Sequence, residues 1–186
     1  MRRTQENLEI KDGEKQSVLS DLFMELEKSD YDLVRDRLLP RQELAELLDY
    51  AKSYGIKLFS FIGAGFNRAV FKAEFNNKNY ALKIPVTYGG DYFNRFEAEE
   101  YSNIKINDAK FKEILAFTKD IGNGLVIQEL CSSITSDEIP EDIYELSLAL
   151  REMWQEQGFE VDNFEFGVSV WDGKIKAFDF SDMPYG

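Results

Sequence analysis

The stretch Phe61 to Lys83, reading FIGAGFNRAVFKAEFNNKNYALK, constrains the fold more than any other part of the chain. It opens on a glycine pair, Gly63 and Gly65, in Ile-Gly-Ala-Gly-Phe. Ala69 to Phe75 then alternates, and Asn76 to Asn79 make a polar turn. A second apolar run, Tyr80-Ala-Leu-Lys-Ile-Pro85, carries one lysine in its middle. The order predicts strand, glycine loop, strand, tight turn, strand. Two glycines at a strand end let backbone N–H groups approach an anion closely. Lys83 within an apolar strand needs a partner, because burying an unpaired ammonium is costly. A nucleotide's phosphates and a nearby carboxylate would supply one. The plain alternative is an ordinary turn beside an edge lysine that snorkels to water.

The rest of the chain narrows the class. Its 186 residues suffice for one domain with a real core, and 44% apolar with 14% aromatic residues argue for a folded chain. Twenty-two basic against 35 acidic residues leave a net charge of −13. That disfavours sequence-independent nucleic-acid binding and attraction to an anionic membrane, and favours basic partners or simple solubility. With no histidine, every His-based mechanism and nearly every zinc site drop out. The lone Cys131 excludes an internal disulfide and fits a reducing cytoplasm. Arg2 and Arg3 precede no apolar run, and no span is long enough to cross a membrane.

Residues 1 to 15 are polar, so a mobile tail is expected there. Val18, Leu19, Leu22, Phe23 and Leu26 recur at helical spacing, continued by Leu33, Val34, Leu38 and Leu39. Pro40 suits the first turn of a helix carrying Leu44, Leu47, Leu48 and Ala51 and closing at Gly55. This N-terminal helical extension, 1–55, reads as packed on the domain or as a partner-binding element. Further on, Tyr88-Gly-Gly-Asp is a loop, Tyr92 to Ile104 a helix, and Glu113–Lys119 and Gly124–Leu130 two strands joined by Asp120-Ile-Gly-Asn. Pro140 precedes a helix from Glu141 to Gln157. The Asp172-Gly173 turn between apolar alternations marks a hairpin ahead of Asp179.

Taken together, Ile-Gly-Ala-Gly-Phe and Tyr80-Ala81-Leu82-Lys83 resemble the glycine-rich loop and the Val-Ala-Ile-Lys strand of the protein kinase family. Leu125 to Cys131 is similar to the family's fifth strand and hinge, and Asp179-Phe180-Ser181 to its Asp-Phe-Gly. The resemblance covers Ile56 to Ser181. It implies an α+β, kinase-like fold: an N-lobe at 56–131 with a five-stranded antiparallel sheet and one helix, then a curtailed helical C-lobe at 132–186. It also implies ATP and Mg2+ as cofactors. Gly63 and Gly65 would cradle phosphate, with Val70, Glu129 and Cys131 against the base and Gln128 as gatekeeper. Lys83 would sit on the phosphates, oriented by Glu97 or, as runner-up, Glu100. Asp179 would hold the metal.

The departures are specific. Arg68 stands where the loop's third glycine is expected. In place of the catalytic loop the chain reads Phe159-Glu-Val-Asp-Asn-Phe-Glu-Phe-Gly-Val. One alignment gives Asp162 the catalytic position and Gly167 that of the metal-binding asparagine; another gives Glu160 and Glu165. Five residues follow Ser181, so the resemblance is to the minimal class found among bacterial virulence-effector and phage kinases, working in a host cytoplasm. The implied activity is weak or partner-dependent phosphotransfer to a protein Ser/Thr hydroxyl. Two further readings stand beside it: a pseudokinase that sequesters a host protein, and an acidic decoy that mimics nucleic acid.

Overall fold

Asn76 and Asn77 both adopt left-handed backbone, with φ of 50° and 61°, which asparagine tolerates better than most residues. They form the turn between two eight-residue strands. The structure, a computed structural model, describes residues 20, 22, 24, 38–161 and 164–180. Its first full element is helix α1 (Arg41–Ser53), followed by strands β1 (Lys57–Ala64), β2 (Arg68–Phe75) and β3 (Lys78–Pro85). Helix α2 (Gly90–Asn107) and the short α3 (Ala109–Ile114) come next, then β4 (Thr118–Gly122) and β5 (Leu125–Glu129). The five strands make one antiparallel sheet in the order β1-β2-β3-β5-β4.

One face of this sheet is apolar. Ala69, Phe71, Ala73, Leu82 and Ile84 form a core with Leu44, Leu48 and Ala51 of α1 and with Leu22. Each Leu, Ile or Phe so buried contributes ~1.5–3 kcal/mol. The other expected apolar positions of the extension from Val18 to Val34 lie outside the described residues. Helix α2 contacts β3, β4 and β5 and lies on the opposite face, from which it reaches Lys83. A Cβ on Gly90 would lie 2.2 Å from the Asn67 carbonyl oxygen, so only glycine lets α2 start this close to the β1–β2 turn.

Beyond β5 a second sheet forms from β6 (Cys131–Ser133), β7 (Glu165–Ser169) and β8 (Ile175–Phe178) in the order β6-β7-β8. Helix α4 (Glu141–Glu156) precedes β7. A second core gathers Phe96 and Tyr101 of α2, Phe111 of α3, Leu150 and Trp154 of α4, and Phe166, Ala177 and Phe180. Phe117 packs against both cores. No described helix is long and apolar enough to cross a membrane.

Two expected elements differ in their bounds from the sequence reading, and β6 is one it did not contain. The span Glu113–Lys119, expected as a strand, begins as the end of α3, and β4 starts only at Thr118. Asp108 caps α3 by accepting from the Lys110 N–H at 3.1 Å, and Phe111, Ile114 and Leu115 are buried at helical, not alternating, spacing. Helix α2 also begins earlier than Tyr92, because Gly89 and Gly90 belong to its first turn rather than to a loop.

Candidate functional site

Val70 and Lys83 are directly paired across β2 and β3. Paired residues leave an antiparallel sheet on the same face, and the two-residue period places Arg68 there too. This is the face turned away from the first core. Asn94 of α2 locks the helix over it. The Asn94 side-chain amide donates to the carbonyls of Lys83 at 3.2 Å and Gly124 at 2.6 Å. One turn on, Glu97 is fully buried.

The buried Lys83 ammonium lies 2.8 Å and 3.0 Å from the two Glu97 carboxylate oxygens and 3.1 Å from Asp179 Oδ1. Arg68 meets the same two acids: its Nη1 is 3.0 Å from Glu97 Oε1 and its Nη2 donates to Asp179 Oδ1. Burial works against the Arg68 charge, but the Glu97 and Asp179 carboxylates outweigh it and hold its pKa above the ordinary value. Burial likewise opposes ionisation of Asp179, and Lys83 and Arg68 overcome it, leaving that pKa below the usual carboxylate range. Two basic side chains thus meet two acidic ones, each cation touching both carboxylates, in a formally neutral quartet. Asp179 is held at a left-handed φ of 57°, which an aspartate tolerates and most residues do not. Phe180, next in the chain, is fully buried and stacks on Trp154 at 5.2 Å, anchoring this bend.

Lys83 and Asp179 of this quartet line a cavity of about 160 Å³. An engineered cavity of ~150 Å³ holds benzene, so there is room to enclose one flat ring system. Ile62, Gly63, Val70 and Ala81 line it from the first sheet, the segment from Gln128 to Cys131 from the join between the sheets, Glu165 from the second sheet and Asp179 from just beyond the end of β8. Of the residues singled out from sequence, Gly63, Val70, Lys83, Glu129, Cys131 and Asp179 thus share one cleft, with Glu97 behind Lys83.

Others fall elsewhere. Gly65 does not line the cleft; its N–H donates to the Arg68 carbonyl at 2.8 Å and closes the β1–β2 turn. Glu100 turns toward α4, accepting from Trp154 Nε1 at 2.8 Å rather than from Lys83. The Glu129 carboxylate accepts from the Phe117 N–H at 3.1 Å and from the Ser169 hydroxyl, tying the sheets together. Burial and the Glu129 charge push the Cys131 thiol up to about 12, so it is no nucleophile at neutral pH. Asp162 lies outside the described residues. Glu160 is exposed, whereas Glu165 reaches the cleft, where burial and the Asp179 charge push its carboxyl up.

Arg68 is the site residue that sequence reading missed. It registers there only as a replaced glycine, yet counting two residues back from Val70 puts it on the Lys83 face. Its position bears on the metal that the resemblance implies. Asp179 Oδ1 already accepts from two cations. Among the described residues no group of three His, Cys, Asp or Glu side chains is placed to ligate a metal. Mg2+ binds through one or two carboxylates and demands near-octahedral geometry. With Arg68 and Lys83 both seated on Asp179 Oδ1, the residues present fit a resident magnesium ion poorly: it would have to hold Asp179 through Oδ2, beside two cations. A second recess, of about 370 Å³, lies between α1 and the 85–91 segment. Its lining includes Glu43, Glu46, Thr87, Tyr88 and Asp91 and no basic side chain.

No protein-family model matches the chain and no curated protein matches its sequence, so the geometry of this cleft is what carries a functional reading.

Proposed function

We propose that this protein is a minimal kinase-like nucleotide-binding protein that transfers the γ-phosphoryl group of ATP to a hydroxyl of a host or cellular protein, weakly or only with that partner bound. One observation carries the reading: a buried lysine on a sheet, held between a helical glutamate and a left-handed aspartate at the mouth of a mostly apolar cleft. Phosphoryl transfer is mostly positioning and charge stabilisation, and Lys83 is placed to meet phosphate oxygens while Glu97 fixes its position. The glycine pair supports the same reading. Neither Gly63 nor Gly65 has a positive φ, and a Cβ on either would meet nothing within 4 Å. Nothing in the fold itself demands glycine there, whereas close approach of a ligand to the backbone would. Asp162 or Glu160 would take the acceptor's proton.

The Arg68 contact to Asp179 favours a second reading: the same cleft used by a non-catalytic binding module, which binds its protein partner without turnover. Thermal denaturation with ATP decides first. At ligand one hundred times its dissociation constant the stabilisation should be about 2.7 kcal/mol, and no shift at millimolar ATP removes the enzyme reading. Radiolabelled ATP with and without host-cell extract then separates the two. Label lost in both Lys83→Ala and Asp179→Ala supports the enzyme. No label in any variant, with partner capture common to all three, supports the binding module.

A further inference from the structure

We propose that Arg68 occupies the place of a divalent cation at Asp179, so that nucleotide phosphates bind this cleft with no gain from magnesium. The inference rests on the nucleotide reading above and adds which positive charges the phosphates meet.

Arg68 is the first residue of β2, on the face that carries Lys83, and meets the cleft at Asp179. Its guanidinium bridges the two carboxylates that flank Lys83: Nη2 donates to Asp179 Oδ1, and Nη1 sits 3.0 Å from Glu97 Oε1. The side chain is 12% exposed, so the bridge is held by the fold and not by a flexible surface arm. A planar guanidinium has five N–H donors and matches carboxylate and phosphate oxygens alike. Here the carboxylates leave donors unused: Nη1 is sealed in beside Glu97 with no acceptor in line, while the side chain as a whole keeps 12% of its surface exposed. A phosphate oxygen can take a spare donor without breaking the bridge.

A metal dication cannot join so simply. Both Lys83 and Arg68 sit on Asp179 Oδ1, so a metal must either ligate through Oδ2 or displace the guanidinium and leave a buried arginine without its acceptor. It must also sit beside two cations whose charge is already matched by two carboxylates. Arg68 thus does locally what a metal does elsewhere: it neutralises Asp179 and offers positive charge to an anion.

The test is ATP binding to the full chain by calorimetry, in EDTA and in magnesium, for the wild type and Arg68→Gly. Removing the guanidinium frees Asp179 for a metal. The wild type should bind ATP as tightly in EDTA as in magnesium. Arg68→Gly should bind about tenfold or more weakly in EDTA and recover in magnesium. Arg68→Gln, which keeps a side chain at the start of β2, should behave as Arg68→Gly does and guards against misfolding of the glycine variant. A wild type whose affinity rises with magnesium as much as the variants' does overturns the assignment of Arg68 and leaves the nucleotide reading intact. ATP that binds the wild type in neither condition overturns the nucleotide reading, and this inference with it.

Discussion

Lys83, Glu97 and Asp179 were legible as candidates because their order along the chain and their residue types both mattered: a lysine in an apolar strand, an acid in the next helix, an aspartate after a hairpin. What could not be read was the charge balance where they meet. Arg68 turns a site with one spare negative charge into a neutral quartet, and that depends on a strand register invisible in composition. Glu165 adds a fifth group, and its carboxyl is pushed up by burial first and by Asp179 second. The sign of the consequence follows. A carboxyl whose folded pKa exceeds its unfolded value binds more protons in the folded state between the two, so stability falls as pH rises from about 4.3 through the raised value. Glu165→Gln should therefore stabilise the protein at pH 7 and gain nothing at pH 4, in urea melts across that range. Because Glu165 remains partly open to solvent, the gain should be below ~1 kcal/mol. A gain that is the same at both pH values would mean that repulsion in the cleft is not its source.

Elements were readable where one signal dominated. The β2–β3 hairpin was announced by its asparagine turn, and α4 by Ile143, Leu146, Leu150 and Trp154 on one face. The reading failed at 109–119 because a six-residue helix buries only Phe111 and Ile114, too few positions to separate a period of 3.6 from alternation. It missed β6, whose three residues acquire strand character only by pairing with β7, distant in sequence. The structure of the second region, a three-stranded sheet beside α3 and α4, rests on aromatic packing centred on Trp154, which touches Phe96, Phe164 and Phe180. Phe180→Ala should cost ~3–5 kcal/mol, as expected for removing a fully buried phenylalanine side chain. Phe180→Leu should cost clearly less, and urea denaturation of both would show it. Equal losses would mean that the position serves backbone geometry rather than packing.

At the scale of the molecule, the two cores are too closely linked to melt apart. The Glu129 carboxylate at the end of β5 takes hydrogen bonds from Phe117 and, across in β7, from Ser169. Trp171, at the tip of the β7–β8 hairpin, donates to the Asn79 carbonyl at 2.7 Å and sits edge-on to Tyr80 at 5.0 Å, both in β3. Phe117 lies 6.3 Å from Tyr80 and 5.7 Å from Trp171, between the two sheets. Separating the sheets would strand the Glu129 carboxylate without its Ser169 donor and expose this aromatic cluster to water. Thermal unfolding should therefore be one cooperative transition. Scanning calorimetry checks this through the ratio of van't Hoff to calorimetric enthalpy, which is ~1 for a single unit and near ~0.5 for two similar units melting independently. The calorimetric enthalpy itself should be on the order of 100 kcal/mol if most of the chain takes part. Trp171→Ala removes the hydrogen bond and the aromatic bridge together at the edge of the first core, so it should lower that ratio as well as the midpoint. A wild-type ratio near ~0.5 would show that the cores unfold separately, in spite of these contacts.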